Sequence, residues 1–195
     1  MQQKVFNVLT ELELRDEKER LQGLPGDQRL QAMAPEAAKF LYITALAAKA
    51  RHIVEIGTSR GYSTIWLALA AQKNGGHVTT CEVDPARAEE AKGYFERAGL
   101  SDYITLLVGD ARETLRGHSG PVDLLFLDAA KGQYETYFDV VYKRLGVGSL
   151  IIADNVTSHH NELADYVSYA QNHPHLESVT APVARGLEIT VKTAG

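Results

Sequence analysis

Five short apolar runs constrain this chain more than any other feature. They read HIVEIG, GHVTTCEVD, YITLLVGD, VDLLFLD and SLIIADN, and each closes on Gly, Asp or Asn. Helical segments separate them at Tyr62–Asn74, Pro85–Ala98, 111–117 and 134–145. Strands rich in Val, Ile and Leu that alternate with helices call for a mainly parallel sheet covered on both faces. In such sheets ligands bind beyond the carboxyl ends of the strands. Those ends carry Glu55 with Gly57, Glu82 with Asp84, Gly109 with Asp110, Asp128, and Asp154 with Asn155. One shared crevice is expected there.

The flanks add helices before the sheet and an edge after it. Val5, Leu9, Leu12 and Leu21 form an apolar stripe, which LPGD at 24–27 breaks. Pro35 opens a second helix with an acid beside it. In the tail, a helix at 162–171 precedes LESVTAPV and GLEITVK. Only a few residues separate those two runs, so they pair antiparallel at one edge. The expected fold is α/β and doubly wound, with seven strands and extra N-terminal helices. No internal linker stands out, so 1–195 reads as one domain: helices over 1–50 and a sheet core over 51–195.

Composition narrows the function. The net charge of −5 argues against a partner that is nucleic acid or anionic membrane. The one cysteine, Cys81, cannot form an internal disulfide, which favours a reducing, cytoplasmic setting. It sits inside an apolar run and reads as core. The N-terminus is charged, with no secretory stretch, and no run reaches transmembrane length.

The first strand runs into VEIGTSRGYS, residues 54–63. Gly57 and Gly61 flank a tight strand-to-helix turn, where glycine lets the backbone approach a ligand closely. The dinucleotide fingerprint fails, because position 59 is Ser and the glycines are four apart. Glu55, two residues before the first glycine, suits a cationic ligand better than a pyrophosphate. The alternative is a structural turn with a solvated acid. Glu82 closes the next strand, where an acid accepts both hydroxyls of a ribose. S-adenosylmethionine combines a ribose with a positive sulfonium.

Asp128 ends one strand, with Lys131 three residues on, and Asp154 and Asn155 end the next. Two carboxylates and an amide oxygen are hard ligands. They are enough to hold Mg²⁺, Mn²⁺ or Ca²⁺ with positions left for water and substrate. Taken singly, either aspartate could be a helix cap. No Cys/His cluster has zinc spacing. A phenol with a pKa of about 10 is little ionised at neutral pH. A divalent cation would stabilise its oxyanion, and Lys131 reads from spacing alone equally as a general base, once its own proton is shed, or as a solvated surface lysine.

VEIGTSRGYST, CEVDP, LDAAKGQY and ADNV together resemble the class I S-adenosylmethionine-dependent methyltransferases. More narrowly, they resemble the cation-dependent O-methyltransferases, the group of the catechol and caffeoyl-CoA enzymes. The similarity runs from Met33 to the C-terminus. It implies a Rossmann-like fold in which Glu55, Gly57, Ser59 and Ser63 line the methionine part of the cofactor. Thr58 and Gly61 belong to the same loop and count among the cofactor contacts. Glu82 takes the ribose, Asp110 and Ala111 lie beside the adenine, and Met33 closes over the cofactor. Asp128, Asp154 and Asn155 are the implied metal ligands, with Asp128 also touching the cofactor and Lys131 as the base. Tyr134 matches a tyrosine that orients the loop.

Two departures bear on the acceptor. The metal segment is Asp128-Ala-Ala-Lys131, without the aromatic that walls the catechol pocket, and Arg185-Gly186-Leu187 stands where relatives carry Asp-Gly-Leu. Arg185 is read as a surface arginine, with contact to an anionic acceptor as the alternative. His159 and His160 either rim the pocket or start a helix. The expected activity is methyl transfer to a hydroxyl of a small aromatic, by a homodimer. The rivals are another acceptor (nitrogen or RNA), a nicotinamide-dependent dehydrogenase, and a non-catalytic binding module.

Overall fold

Each apolar run becomes a strand because its alternate side chains meet a helix layer on either face. The computed structural model describes residues 3–195, Asp27 in its backbone only. Two helices come first, α1 (Gln3–Leu21) and α2 (Pro35–Ala47). Then β1 (His52–Ile56), α3 (Tyr62–Asn74), β2 (His77–Glu82), α4 (Pro85–Ala98) and β3 (Ile104–Val108) follow. Next are α5 (Ala111–Thr114), β4 (Val122–Leu127), α6 (Tyr134–Tyr142) and β5 (Leu145–Asp154). The chain closes with α7 (His160–Asn172), β6 (Leu176–Ala181) and β7 (Leu187–Lys192). Among the described residues no helix is long and apolar enough to cross a membrane.

The seven strands form one sheet in the order β3-β2-β1-β4-β5-β7-β6. β7 pairs antiparallel with both β5 and β6, and every other pairing is parallel. This is the expected sheet with its antiparallel edge. Chain order reverses between β1 and β4, which makes their carboxyl ends the switch point where ligands bind. Leu124 and Phe126 of β4 pack on the side of α1–α4, whereas Leu125 and Leu127 pack on the side of α5–α7.

Where capping is local, expected and observed boundaries coincide. Asp84 accepts the Ala86 and Arg87 N–H groups at the start of α4, and Gly99 (φ 70°) closes it. Elsewhere they shift. α5 ends at Thr114 rather than 117, because the chain turns back toward β4 through a His118 N–H to Leu115 carbonyl bond. α6 stops at Tyr142, because Leu145 already pairs with Val122. β5 therefore begins before its Gly-Val-Gly, and the register shifts between Val122 and Leu124. α7 starts two residues earlier than expected, at His160. Leu21, read as part of the buried stripe, is 82% exposed at the end of α1.

The two loop glycines serve packing. A Cβ on Gly57 (φ 108°) would sit 2.0 Å from the Asp128 carbonyl oxygen. One on Gly61 (φ 88°) would sit 2.4 Å from the Phe95 ring of α4. Gly61 is therefore required by a helix contact with Phe95.

Gly61→Ala should cost more than Gly99→Ala, which meets nothing within 4 Å. The left-handed backbone alone costs about 1–2 kcal/mol, and overpacking adds roughly 1–3 kcal/mol at residue 61. Urea midpoints of the two variants check this; equal losses would refute the packing role.

Candidate active site

A cavity of about 650 Å³ opens beyond the carboxyl ends of β1, β2, β4 and β5. Met33, Gly57, Thr58, Ser59 and Ser63 line it, as do Glu82, Asp110 and Ala111. Asp128, Lys131, Asp154 and Asn155 line it too. Glu55 and Gly61 do not.

Glu55 is fully buried beneath the loop. It points from β1 to the α3 side and accepts three hydroxyls: Ser63 at 2.6 Å, Thr64 at 2.5 Å and Thr80 at 2.6 Å. It holds the loop from beneath rather than lining the cavity, and Ser63 carries its influence to the cavity wall. Ser59 adopts a left-handed backbone (φ 49°) that turns its N–H onto Glu82 at 2.7 Å. Glu82 also accepts the Asp84 N–H at 3.0 Å. Each oxygen of Glu82 thus has one backbone donor and a further lone pair for a ligand hydroxyl. Asp110 caps α5 and binds the Arg112 guanidinium at 2.5 Å, which holds its carboxyl below the usual range.

The strap at 30–33 forms another wall, and of it only Met33 was anticipated. The strap hangs from α1: Glu19 accepts the Leu30 N–H at 2.5 Å, and Asp16 accepts the Ala32 N–H at 3.1 Å. From the glycine loop, Ser59 Oγ donates to the Leu30 carbonyl at 3.1 Å, and Arg60 donates to the Arg29 carbonyl at 2.7 Å. Asp16 and Glu19 lie three apart on one helix face, but no local signal says what they meet.

At the other end, Asp128 Oδ1 accepts from Lys131 Nζ at 2.7 Å and from Asn155 Nδ2 at 2.8 Å. Lys131 Nζ also donates to the Tyr134 hydroxyl at 2.9 Å, and that hydroxyl donates to the Asp154 carbonyl at 3.3 Å. Tyr134 is buried and steadies the lysine. Asn155 is held in a left-handed conformation (φ 71°), a backbone cost of the kind that clusters at functional sites. Asp154 is 2% exposed, and its Oδ1 accepts the Asn155 N–H at 2.7 Å. Burial, then repulsion from Asp128, push its carboxyl up to about 7.

Among the described residues no three His, Cys, Asp or Glu side chains form a metal cluster; the available donors are two carboxylates and an amide. They fit a hard cation on one physical ground. Two neighbouring aspartates, one of them deeply buried, have a single ammonium between them; Asn155 Nδ2 donates to Asp128 here, so its oxygen would have to turn to join them. His159 lies in the cavity wall, whereas His160 is exposed on the first turn of α7.

Burial raises the Glu55 carboxyl to about 7, against the pull of its three hydroxyl donors; Asp128 adds to the rise. Between about pH 4.5 and 7 the folded state keeps a proton that the unfolded chain has released, so stability falls as pH rises through that window. Asp154 acts in the same sense. For Glu55 in the ligand-free protein the loss reaches about 3 kcal/mol. Glu55→Gln should flatten the slope in urea titrations across this range; an unchanged slope would remove Glu55 as its source.

The O-methyltransferase family model matches residues 12–180. The chain is 40% identical over 129 residues to a catechol O-methyltransferase of Niastella koreensis, covering 64% of this chain and 58% of that one. It is likewise 40% identical over 126 residues to a catechol O-methyltransferase of Mycobacterium tuberculosis, covering 64% and 57%. The match thus spans less than two thirds of either relative. An O-methyltransferase from Bacillus cereus solved in complex with SAH superposes with a TM-score of 0.81 at 28% identity, covering 96% of this chain and 91% of that one. With 12–180 matched, well over half its length, the chain belongs to the O-methyltransferase family.

Proposed function

We propose that the protein transfers a methyl group from S-adenosylmethionine to a hydroxyl of a small catechol-like aromatic, with the help of a divalent cation. One observation carries this reading: a single cavity joins Glu82 and the glycine loop to Asp128, Lys131, Asp154 and Asn155. The catechol O-methyltransferases among its relatives support it. A nicotinamide reading has less support, because Ser59 replaces the second glycine of that fingerprint.

S-adenosylmethionine would supply a methyl already activated on a sulfonium. A divalent cation, held by Asp128, Asp154 and Asn155, would lower the pKa of the acceptor hydroxyl and steady its oxyanion. The chain's own residues do the rest. Glu82 and the strap at 30–33 hold the nucleoside and keep water out. Lys131 Nζ, fixed between Asp128 and Tyr134, takes the hydroxyl proton when it carries two hydrogens rather than three. The packed loop sets the line of approach between acceptor oxygen and methyl carbon.

Lys131→Ala should lower kcat by roughly 10²–10⁴-fold while S-adenosylhomocysteine binding, read by calorimetry, stays within a few-fold. EDTA should abolish turnover of catechol. Methylation that survives EDTA would remove the cation from the mechanism, and loss of cofactor binding in Lys131→Ala would make that lysine structural.

The reading includes a homodimer in the cytoplasm. Phe6 and Leu14 on α1 and Ile43 on α2 are exposed apolar side chains that pairing would cover, and the single cysteine, Cys81, is buried and free. Sedimentation should give twice the chain mass; a monomer at micromolar concentration would end the dimer reading.

A further inference from the structure

We infer that Arg185 selects methyl acceptors that carry an anionic group, such as a ring carboxylate, beside the reacting hydroxyl; this rests on the methyl-transfer reading above. Four arginines line the cavity. Arg60 is paired with Glu90 at 2.6 Å, Arg87 with Asp84 at 3.5 Å and Arg112 with Asp110 at 2.5 Å. Arg185 is the fourth. It is half-buried, and among the described residues its guanidinium has no hydrogen bond or ion pair.

The backbone displays this side chain deliberately. Ala184 and Gly186 on either side both have positive φ, 51° and 89°. The Arg185 carbonyl accepts the N–H groups of Thr157 and Ser158, each at 3.0 Å. A Cβ on Gly186 would lie 2.1 Å from Thr157 Oγ1, so the turn is pressed against the segment that follows Asn155. Arg185 is thereby set at the Asp154–Asn155 end of the cavity, where the acceptor must enter.

Charge decides what it meets there. A divalent cation would cancel Asp128 and Asp154 and, with Lys131 neutral as the base, leave Arg185 as the charged side chain at that end. A guanidinium offers a fork of donors that matches a carboxylate in two parallel bonds. Arg185 also borders a second cavity, walled by Glu13, Asp16, Glu17 and Glu36, with Arg20 paired to Asp16. That wall repels an anion, so the acidic group is confined to the cofactor side.

The test compares three acceptors: a catechol bearing a ring carboxylate, unsubstituted catechol, and a catechol bearing an aminomethyl group. Wild type should favour the carboxylate over the amine in kcat/KM. Arg185→Gln should lower the carboxylate-to-catechol ratio by roughly ten- to a hundredfold, and Arg185→Glu should reverse the order of carboxylate and amine. Loss by the same factor on all three acceptors would show a structural role and overturn the inference. If wild type binds S-adenosylmethionine yet methylates none of the three, the methyl-transfer reading fails. Calorimetry of the carboxylate acceptor on wild type and Arg185→Gln then decides Arg185 alone, and equal affinities overturn it.

Discussion

The site depends on how closely the ends of β1 and β4 approach. Gly57 lies so near the Asp128 backbone that a side chain there would overlap the carbonyl, and the Asp128 N–H bonds the Ile56 carbonyl at 3.0 Å. This contact joins the glycine loop to Asp128. On the proposed function both halves of the methyl transfer would share this seam, at the point where strand order reverses. A small shift at that seam would separate methyl from oxygen, and positioning is most of what such a site contributes.

Buried polar groups fix the seam from below. Glu55 ties α3 to β2 through Ser63, Thr64 and Thr80. A carboxyl that deep is costly unless each oxygen is met by a donor, and here each is. Its burial next to Asp128 makes the ligand-free site electrostatically loaded. On the proposed function, a cationic ligand and a metal ion would relieve that load.

Over the seam, the strap depends on distant sequence. Asp16 and Glu19 on α1, Arg60 in the glycine loop and Glu90 on α4 converge through hydrogen bonds and ion pairs. Arg15 adds ion pairs to Glu19 and Glu90. Much of this network is partly exposed, where each pair alone contributes little. Its effect is geometric: four backbone groups between Arg29 and Ala32 are held at once, and together with the burial of Leu30, Ala32 and Met33 in the core this gives one cavity wall a defined position.

The sequence by itself determined the sheet, the crevice and most element boundaries. Strand periodicity, Pro35, Asp84 with Pro85, and Gly99 act over a few residues and need no partner from elsewhere. The convergence of Glu82, Asp128, Asp154 and Asn155 was also legible, because polar residues at the ends of parallel strands share one edge. Tertiary structure alone decided which way a side chain faces once it is there. Glu55 turns under the loop because hydroxyls of α3 and β2 wait for it, and Gly61 is glycine because Phe95 comes from α4. Leu21 stays exposed at the end of α1, with no neighbour to bury it. Arg185 enters the cavity wall because Thr157 pins its turn. For Glu55, Gly61 and Arg185 the deciding atom belongs to a residue at least eight positions away, and spacing along a chain cannot reveal what another segment will bring to meet it.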